Sequence, residues 1–289
     1  MGEQKQPLSK AEVEELYKAQ GTLAGADLSG ADLSNIYLID ADLSGADLSR
    51  ADLTGAHMFG VNLRGAKLFK ANLENANLNG ADLRDCDMLG AILRDTKLSN
   101  VILDHDFTVV NEREAHKAAL HGDHKTAQHR YEEARDVYRA LKVALNGQIP
   151  SKDVGMLFVR EMGATRKLMP LFSLRRLFSK FLDISLGYGE LIGRIFASIF
   201  VLMFVSAFLY GIEGVRYGGE IVKFGSGAGF LATSGNLLYF SVVVFTTVGF
   251  GDMTPFGPIG KATMMFEGFT SAVYMAILII ALYKRSMVR

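Results

Sequence analysis

The stretch Thr246-Thr247-Val248-Gly249-Phe250-Gly251-Asp252, near the C-terminal end of a 289-residue chain, decides how the rest is read. Just before it, Leu237 to Phe250 forms a largely apolar run of 14 residues. That run is too short to cross a hydrocarbon core of ~30 Å and has the length of a re-entrant segment. Irregular backbone at membrane depth persists only where it is buried in protein or lines a water-filled path. Gly249 and Gly251 alternate with larger residues, which lets the carbonyls on both sides of Val248 and Phe250 point the same way. A row of such carbonyls, with the Thr247 hydroxyl below it, can replace the water shell of a bare cation.

The flanks make this more than a glycine bend. Leu191 to Ile212 holds 22 residues with Arg194 as the only charge, and Ala262 to Tyr283 holds 22 with Glu267 alone. At 1.5 Å per residue each covers ~33 Å, enough to span. The order is helix, re-entrant loop, filter, helix. In that setting the stretch resembles the selectivity filter of potassium channels, the T-V-G-Y-G loop, with Phe250 in place of the tyrosine.

The resemblance implies an ion path lined by Thr247, Val248, Gly249, Phe250 and Gly251. Potassium, as permeant ion rather than cofactor, would sit at Thr247, Val248, Gly249 and Phe250. One chain supplies one strand of the filter, so conduction implies a homotetramer with C4 symmetry in membrane lipid. Related pores that admit sodium carry an acid where Phe250 stands. Many family members tie the filter tyrosine to pore-helix tryptophans. This chain has no Trp, and Tyr239 and Phe240 occupy those places, which predicts a filter held by apolar packing and less rigid than most. Val243 stands where some members carry a pore-helix acid, so Asp252 is expected to lack that partner. Thr246, Asp252, Tyr239, Phe240 and Glu267 are the expected supports of the filter. Gly260-Lys261 resembles the start of the family's inner helix. The usual hinge glycine position is then Ser271, leaving Gly268 as the candidate hinge. Helical spacing from Ser271 puts Met275, Leu278 and Leu282 on one stripe, the candidate pore lining and gate.

The N-terminal third follows a different rule. From Gly21 to His105 run 17 consecutive pentapeptides, most of the form Ala-Asp/Asn-Leu-x-x, with Leu at every fifth position from Leu23 to Leu103 except Met58 and Met88. A period of five fits neither helix nor strand, since a helix would scatter the leucines and a strand would alternate them between faces. It suits a coil that turns a corner each repeat, with Leu and Ala inward and Asp, Ser and Gly at the bends. This resembles the pentapeptide-repeat family, whose fold is a right-handed quadrilateral β-helix with four repeats per coil. Leu23, Leu43, Leu63, Leu83 and Leu103 would then form one inner ladder. Cys86 takes an Ala position and reads as a small buried filler. Some family members mimic DNA, but residues 21–105 hold 12 acidic against 7 basic side chains, too few for a phosphate-like stripe. The formal net charge of zero likewise argues against nucleic acid as a partner.

Between these parts the period is helical. Ser9 and Glu12 form a capping box that opens a short helix running to about Gln20, the capping element of residues 1–20. Ala127, Tyr131, Ala134, Tyr138, Leu141 and Leu145 mark one helix, and Ser151 to about Leu168 a second, predicting an antiparallel hairpin within 106–170. His116, His121, His124 and His129 match no common zinc spacing and read as solvated. Leu171 to Leu182 mixes Leu174, Leu177, Phe178 and Phe181 with Arg175, Arg176 and Lys180, the pattern of a helix lying in the membrane interface over 171–189. Basic residues precede the first span, and Lys284, Arg285 and Arg289 follow the second, which places both termini in the cytoplasm of a cell whose inner membrane holds the pore over 190–285. The N-terminus lacks a secretory core, its Gly2 lacks a myristoylation context, and few residues follow Tyr283, so sensing is expected from the N-terminal region.

The expected protein is thus multidomain and not an enzyme: a β-helix and helical hairpin followed by an all-α pore. The function implied is a potassium channel gated through its cytoplasmic region by a ligand that the residues do not name. The alternatives on the same scaffold are a non-selective cation channel and a membrane-anchored scaffold without conduction.

Overall fold

The structure, a computed structural model, describes residues 7–225 and 229–286. The expectations on Gly2 and Arg289 fall outside the described residues. The chain divides into two compact units, Met1–Lys180 and Phe181–Arg289.

In the first unit, helix α1 (Lys10–Gln20) starts at Ser9, whose capping box with Glu12 is formed, and stops at Gly21 in the left-handed region. Its Val13 is buried in the core of the repeats, and Lys10 Nζ donates to the carbonyls of Ser34 and Asn35 at 3.1 Å. The helix therefore covers the open edge of the first coil. Parallel bridges then join residues 20 positions apart, from Asp27 with Asp47 to Asp82 with Ile102. Each corner is closed by a backbone bond such as Ala26 N–H to the Leu23 carbonyl at 3.1 Å. The third residue of the corner has positive φ (Gly25 69°, Asn35 53°, Arg50 60°) while the second does not, the signature of a type II turn. That requirement explains why Gly recurs there. Asp side chains brace the corners, as where Asp32 and Asp42 accept from the backbone N–H of Ser34 and Ser44. Those bonds hold both carboxyls below their ordinary value.

The leucine ladder is buried from Leu23 through Leu83 and half-buried at Leu103, in the last coil. Two polar side chains share the core, and each satisfies itself on the coil below: Cys86 Sγ bonds the Leu63 carbonyl at 2.9 Å and Thr96 Oγ1 the Leu73 carbonyl at 2.8 Å. The C-terminal edge is finished by a side chain. Gln148 Oε1 accepts from Leu98 N–H at 2.6 Å and its amide donates to the Thr96 carbonyl at 2.8 Å, completing the ladder where no further coil follows.

Gln148 is carried by a group of three helices, α2 (Val110–Leu120), α3 (His124–Leu145) and α4 (Ser151–Leu168). The expected hairpin is α3 and α4; α2 is an addition. Its sequence buries only Asn111 and Ala115, too little to produce a visible apolar period. Tyr138 of α3 donates to Glu112 of α2 and accepts from Val109 N–H, which joins the two helices. Glu161 of α4 is buried between Arg139 and Lys142 at 3.2 and 2.6 Å. Helix α5 (Leu174–Leu186) begins later than the sequence suggests because Ser173 caps it, its hydroxyl accepting from Arg176 N–H. The boundary between the two units falls inside α5.

In the second unit, α6 (Ile192–Glu213) and α8 (Gly257–Ser286) are long and apolar enough to span a membrane. Between them lie β1 (Val215–Tyr217), β2 (Glu220–Val222), α7 (Phe230–Phe245) and β3 (Met253–Pro255), the strands forming an antiparallel sheet in the order β2-β1-β3. Neither the sheet nor the first half of α7 is evident from hydropathy. The strands are three residues each, and Thr233, Ser234, Gly235 and Asn236 interrupt the apolar run ahead of Leu237. Helix α8 buries Thr263, Glu267, Ser271, Tyr274, Leu278 and Ala281, a three-four spacing that marks one packed face. On α6 the phenylalanines 196, 200, 204 and 208 form an exposed stripe suited to lipid.

Burial raises the Cys86 thiol to about 12, so almost no thiolate exists at neutral pH. The native protein is therefore expected to resist iodoacetamide at pH 8 and to be alkylated once unfolded. Rapid labelling of the folded chain, read by mass spectrometry, would contradict this packing.

Candidate functional site

The site is built from the end of α7. Thr246 caps the helix, its N–H bonding the Val242 carbonyl at 2.9 Å and its hydroxyl the same carbonyl at 2.8 Å. The chain then leaves the helix through Thr247, which has a φ of 56°, unusual for a β-branched residue. Gly249 (57°) and Gly251 (76°) follow in the same left-handed region, while Val248 and Phe250 between them do not. The hand of the backbone therefore alternates residue by residue from Thr247 to Gly251. The far end is fixed by the sheet, where Tyr217 of β1 pairs with Met253 and Val215 with Pro255. A short loop is thus suspended between a helix end and a strand, with Val248 and Phe250 exposed on this single chain.

A second tie crosses the loop's exit. The Tyr239 hydroxyl of α7 donates to Asp252 Oδ2 at 3.1 Å. This corrects the expectation of a loop held by apolar packing alone. Asp252 has no acidic partner from Val243 but gains a phenolic one four residues earlier on the same helix. Phe240 instead faces inward, buried, with its ring edge-on to Tyr210 at 4.7 Å between centroids.

Behind α7 sits Glu267 of α8, fully buried. Its Oε2 accepts from the Tyr210 hydroxyl at 2.8 Å, and its Oε1 lies 2.5 Å from Ser241 Oγ. The carboxyl therefore meets both α6 and α7. A further carboxylate, Glu213 at the end of α6, accepts from the N–H groups of Ile259 and Gly260 at 2.7 and 3.1 Å. It satisfies the first turn of α8, whose orphan donors favour an anion. At the other end of the spans, Arg194 pairs with Asp183 at 2.6 Å and Lys284 with Glu190 at 2.7 Å.

The residues expected to line one open stripe do not stay together. Ser271 is buried with its hydroxyl on the Gly268 carbonyl, and Leu278 is buried in a cluster with Ile195, Ile199 and Phe245. Met275 and Leu282 are exposed. The stripe straddles the edge of the packed face, so two of its four members are consumed by packing against this chain's own helices. Gly268 lies in an unbroken helix, and a side chain there would meet nothing. Tyr210, Ser241 and Glu213 are the residues that sequence reasoning missed. A lone serine in an apolar re-entrant run was the available signal for Ser241. The other two are defined only by which helix end or carboxyl they reach.

Among the described residues no cluster of His, Cys, Asp and Glu is arranged to hold a metal. His116, His121, His124 and His129 are exposed; His121 Nδ1 lies 2.8 Å from the Lys117 carbonyl and His129 faces Glu133.

Residues 26–65 and 66–104 match the family of pentapeptide repeats in eight copies, and residues 218–285 match a family of ion channels. Among solved structures, the chain is similar to the pentapeptide repeat protein Rfr23 from the cyanobacterium Cyanothece 51142. The identity is 42% over 27% of this chain and 54% of that one, with a TM-score of 0.27. A pentapeptide repeat protein from the Arabidopsis thaliana thylakoid lumen is 30% identical over 31% of this chain and 66% of that one, with a TM-score of 0.29. One from Nostoc PCC 7120 is 31% identical over 35% of this chain and 100% of that one, with a TM-score of 0.21. No curated protein matches the chain. Residues 26–104 thus carry pentapeptide repeats, and residues 218–285 form a domain of the ion-channel family. Neither family is one of enzymes.

Because one hydrogen bond joins Tyr239 to Asp252, Tyr239→Phe and Asp252→Asn are expected to accelerate the decay of ion flux to a similar degree. The double variant should decay no faster than either single one, as a double-mutant cycle on reconstituted protein would show. Additive effects would mean that the two side chains act separately.

Proposed function

We propose that the chain forms a potassium-selective channel of four copies around a fourfold axis, with Thr247 to Gly251 of each copy lining the ion path. The observation that carries this reading is the alternation of backbone hand at Thr247, Gly249 and Gly251. Alternation of this kind turns successive carbonyls to one side, which supports a column of oxygens in place of a hydration shell. Exposure of Val248 and Phe250 on the single chain supports the fourfold arrangement, because apolar side chains on irregular backbone at membrane depth need protein around them. Tyr239 and Phe240 of α7, Thr246 at its end, Asp252 at the exit of the loop and Glu267 of α8 support the filter.

Met275 and Leu282 are the two members of the Ser271 stripe that stay exposed, and four copies of each could line the inner path and close it by dewetting. The membrane is the inner membrane of the cell, with lipid against the α6 phenylalanines and both termini in the cytoplasm. The domains proposed are the capping helix 1–20, a right-handed four-sided β-helix over 21–105, the helical linker 106–170, the interfacial helix 171–189 and the pore 190–285. The first 170 residues act as the sensor, coupled through α5.

Flux from purified protein in liposomes tests the reading. Wild-type protein is expected to pass potassium, to reject sodium by at least an order of magnitude in reversal potential measurements, and to be blocked by barium. Gly249→Ala places a side chain at a φ of 57° in all four copies and should abolish flux. Equal passage of sodium and potassium would favour the non-selective channel, and no flux at all the scaffold. Removing residues 1–110 should change open probability; identical gating in the truncated protein would end the sensor role.

A further inference from the structure

Ser241 Oγ has two oxygen neighbours and one proton. It lies 2.5 Å from Glu267 Oε1 and 3.0 Å from the carbonyl oxygen of Met203 in α6. If Glu267 were a carboxylate, the serine proton would point at it, and the hydroxyl would face the Met203 carbonyl at 3.0 Å with no hydrogen between them. If Glu267 carries its own proton, every contact has one donor and one acceptor. Glu267 Oε1–H donates to Ser241, Ser241 donates to the Met203 carbonyl, and Oε2 accepts from Tyr210 at 2.8 Å. Ser206 of α6, also buried, is a further hydroxyl neighbour, and its one proton serves either state.

The charges around the site agree. Among the described residues no Lys, Arg or His pairs with Glu267. On α6, Arg194 is taken by Asp183 at one end, and Glu213 serves the start of α8 at the other. Helix α7 has no charged residue. On α8, Lys284 is taken by Glu190, and Lys261 is exposed. A full charge here would be buried without a cation, which is costly even in water-soluble proteins and more so at membrane depth.

We propose that Glu267 is a positioning residue that works as a neutral carboxylic acid, donating to Ser241 so that one proton links α6, α7 and α8 in a closed ring of hydrogen bonds behind the filter. The chain runs from Tyr210 to Glu267, to Ser241 and back to α6 at Met203. It holds the re-entrant helix against both spanning helices by direction as well as by packing. Its consequence for conduction rests on the pore reading given above; the protonation state does not.

The test uses the full chain reconstituted in lipid at neutral pH. Infrared difference spectra between wild type and Glu267→Gln should show a protonated carboxyl C=O band that the variant lacks. A carboxylate band lost instead would overturn the proposal. Glutamine reproduces both roles, an amide N–H to Ser241 and a carbonyl for Tyr210. Glu267→Gln should therefore keep potassium selectivity within about twofold of wild type, whereas Glu267→Ala should lose tenfold or more. Glutamine as damaging as alanine would also overturn it. If wild-type protein does not conduct at all, the infrared result still decides the proton, and only the pore reading falls.

Discussion

Backbone polar groups must be satisfied wherever water is missing, and that one constraint shapes the second unit. The loop from Thr247 to Asp252 has neither helix nor strand to satisfy it. It is therefore hung between structures that do, with the capped end of α7 before it and the edge of β1 after it. Everything behind the loop serves the same demand. Tyr239 reaches the exit, Glu213 takes up the free N–H groups of α8, and Ser241 and Tyr210 surround Glu267. Buried polar side chains gather in the half of the packed faces of α6 and α8 next to the strands, while the other half holds Ile195, Ile199, Leu278 and Ala281. The division follows the loop, because only there is hydrogen-bonding capacity needed at depth.

The first unit answers the constraint by repetition. Each coil donates to and accepts from its neighbours, so the open question is always the two ends. One end is covered by α1, through Val13 and the ammonium of Lys10. At the other, the amide of Gln148 supplies one donor and one acceptor at the spacing of a strand. Within the stack, the rare polar residues Cys86 and Thr96 are harmless because each finds a carbonyl of the coil below. A solenoid of this kind tolerates variation on its outer faces, since only the inward leucine and its small neighbour are constrained.

Much of this was legible in the residues, and the limits have physical causes. The five-residue period gave the coil, because no other regular structure repeats at five. Two apolar runs of spanning length around a re-entrant one gave the order of the pore. The corners were legible too, since Gly and Asn tolerate the positive φ that a type II turn demands. The short strands β1, β2 and β3 were not, because three residues carry no period. Helix α2 was hidden for the related reason that it buries only two of its residues. Ser271 and Leu278 share a helical stripe with Met275 and Leu282, yet lie on the other side of a packing boundary that depends on where α6 rests.

What the sequence determined alone is periodicity and composition: where the chain coils, where it spans, and where glycine permits the backbone to change hand. These are local properties, set by spacing and by the presence or absence of a Cβ. Only the tertiary structure decided which polar groups meet. That Tyr239 holds Asp252, that Glu213 serves a helix 46 residues away, and that Glu267 meets Ser241 and Tyr210 all depend on the angle and depth at which three helices pack. Hydrogen bonds extend about 3 Å, and no pattern along a chain specifies distances between its remote parts to that precision.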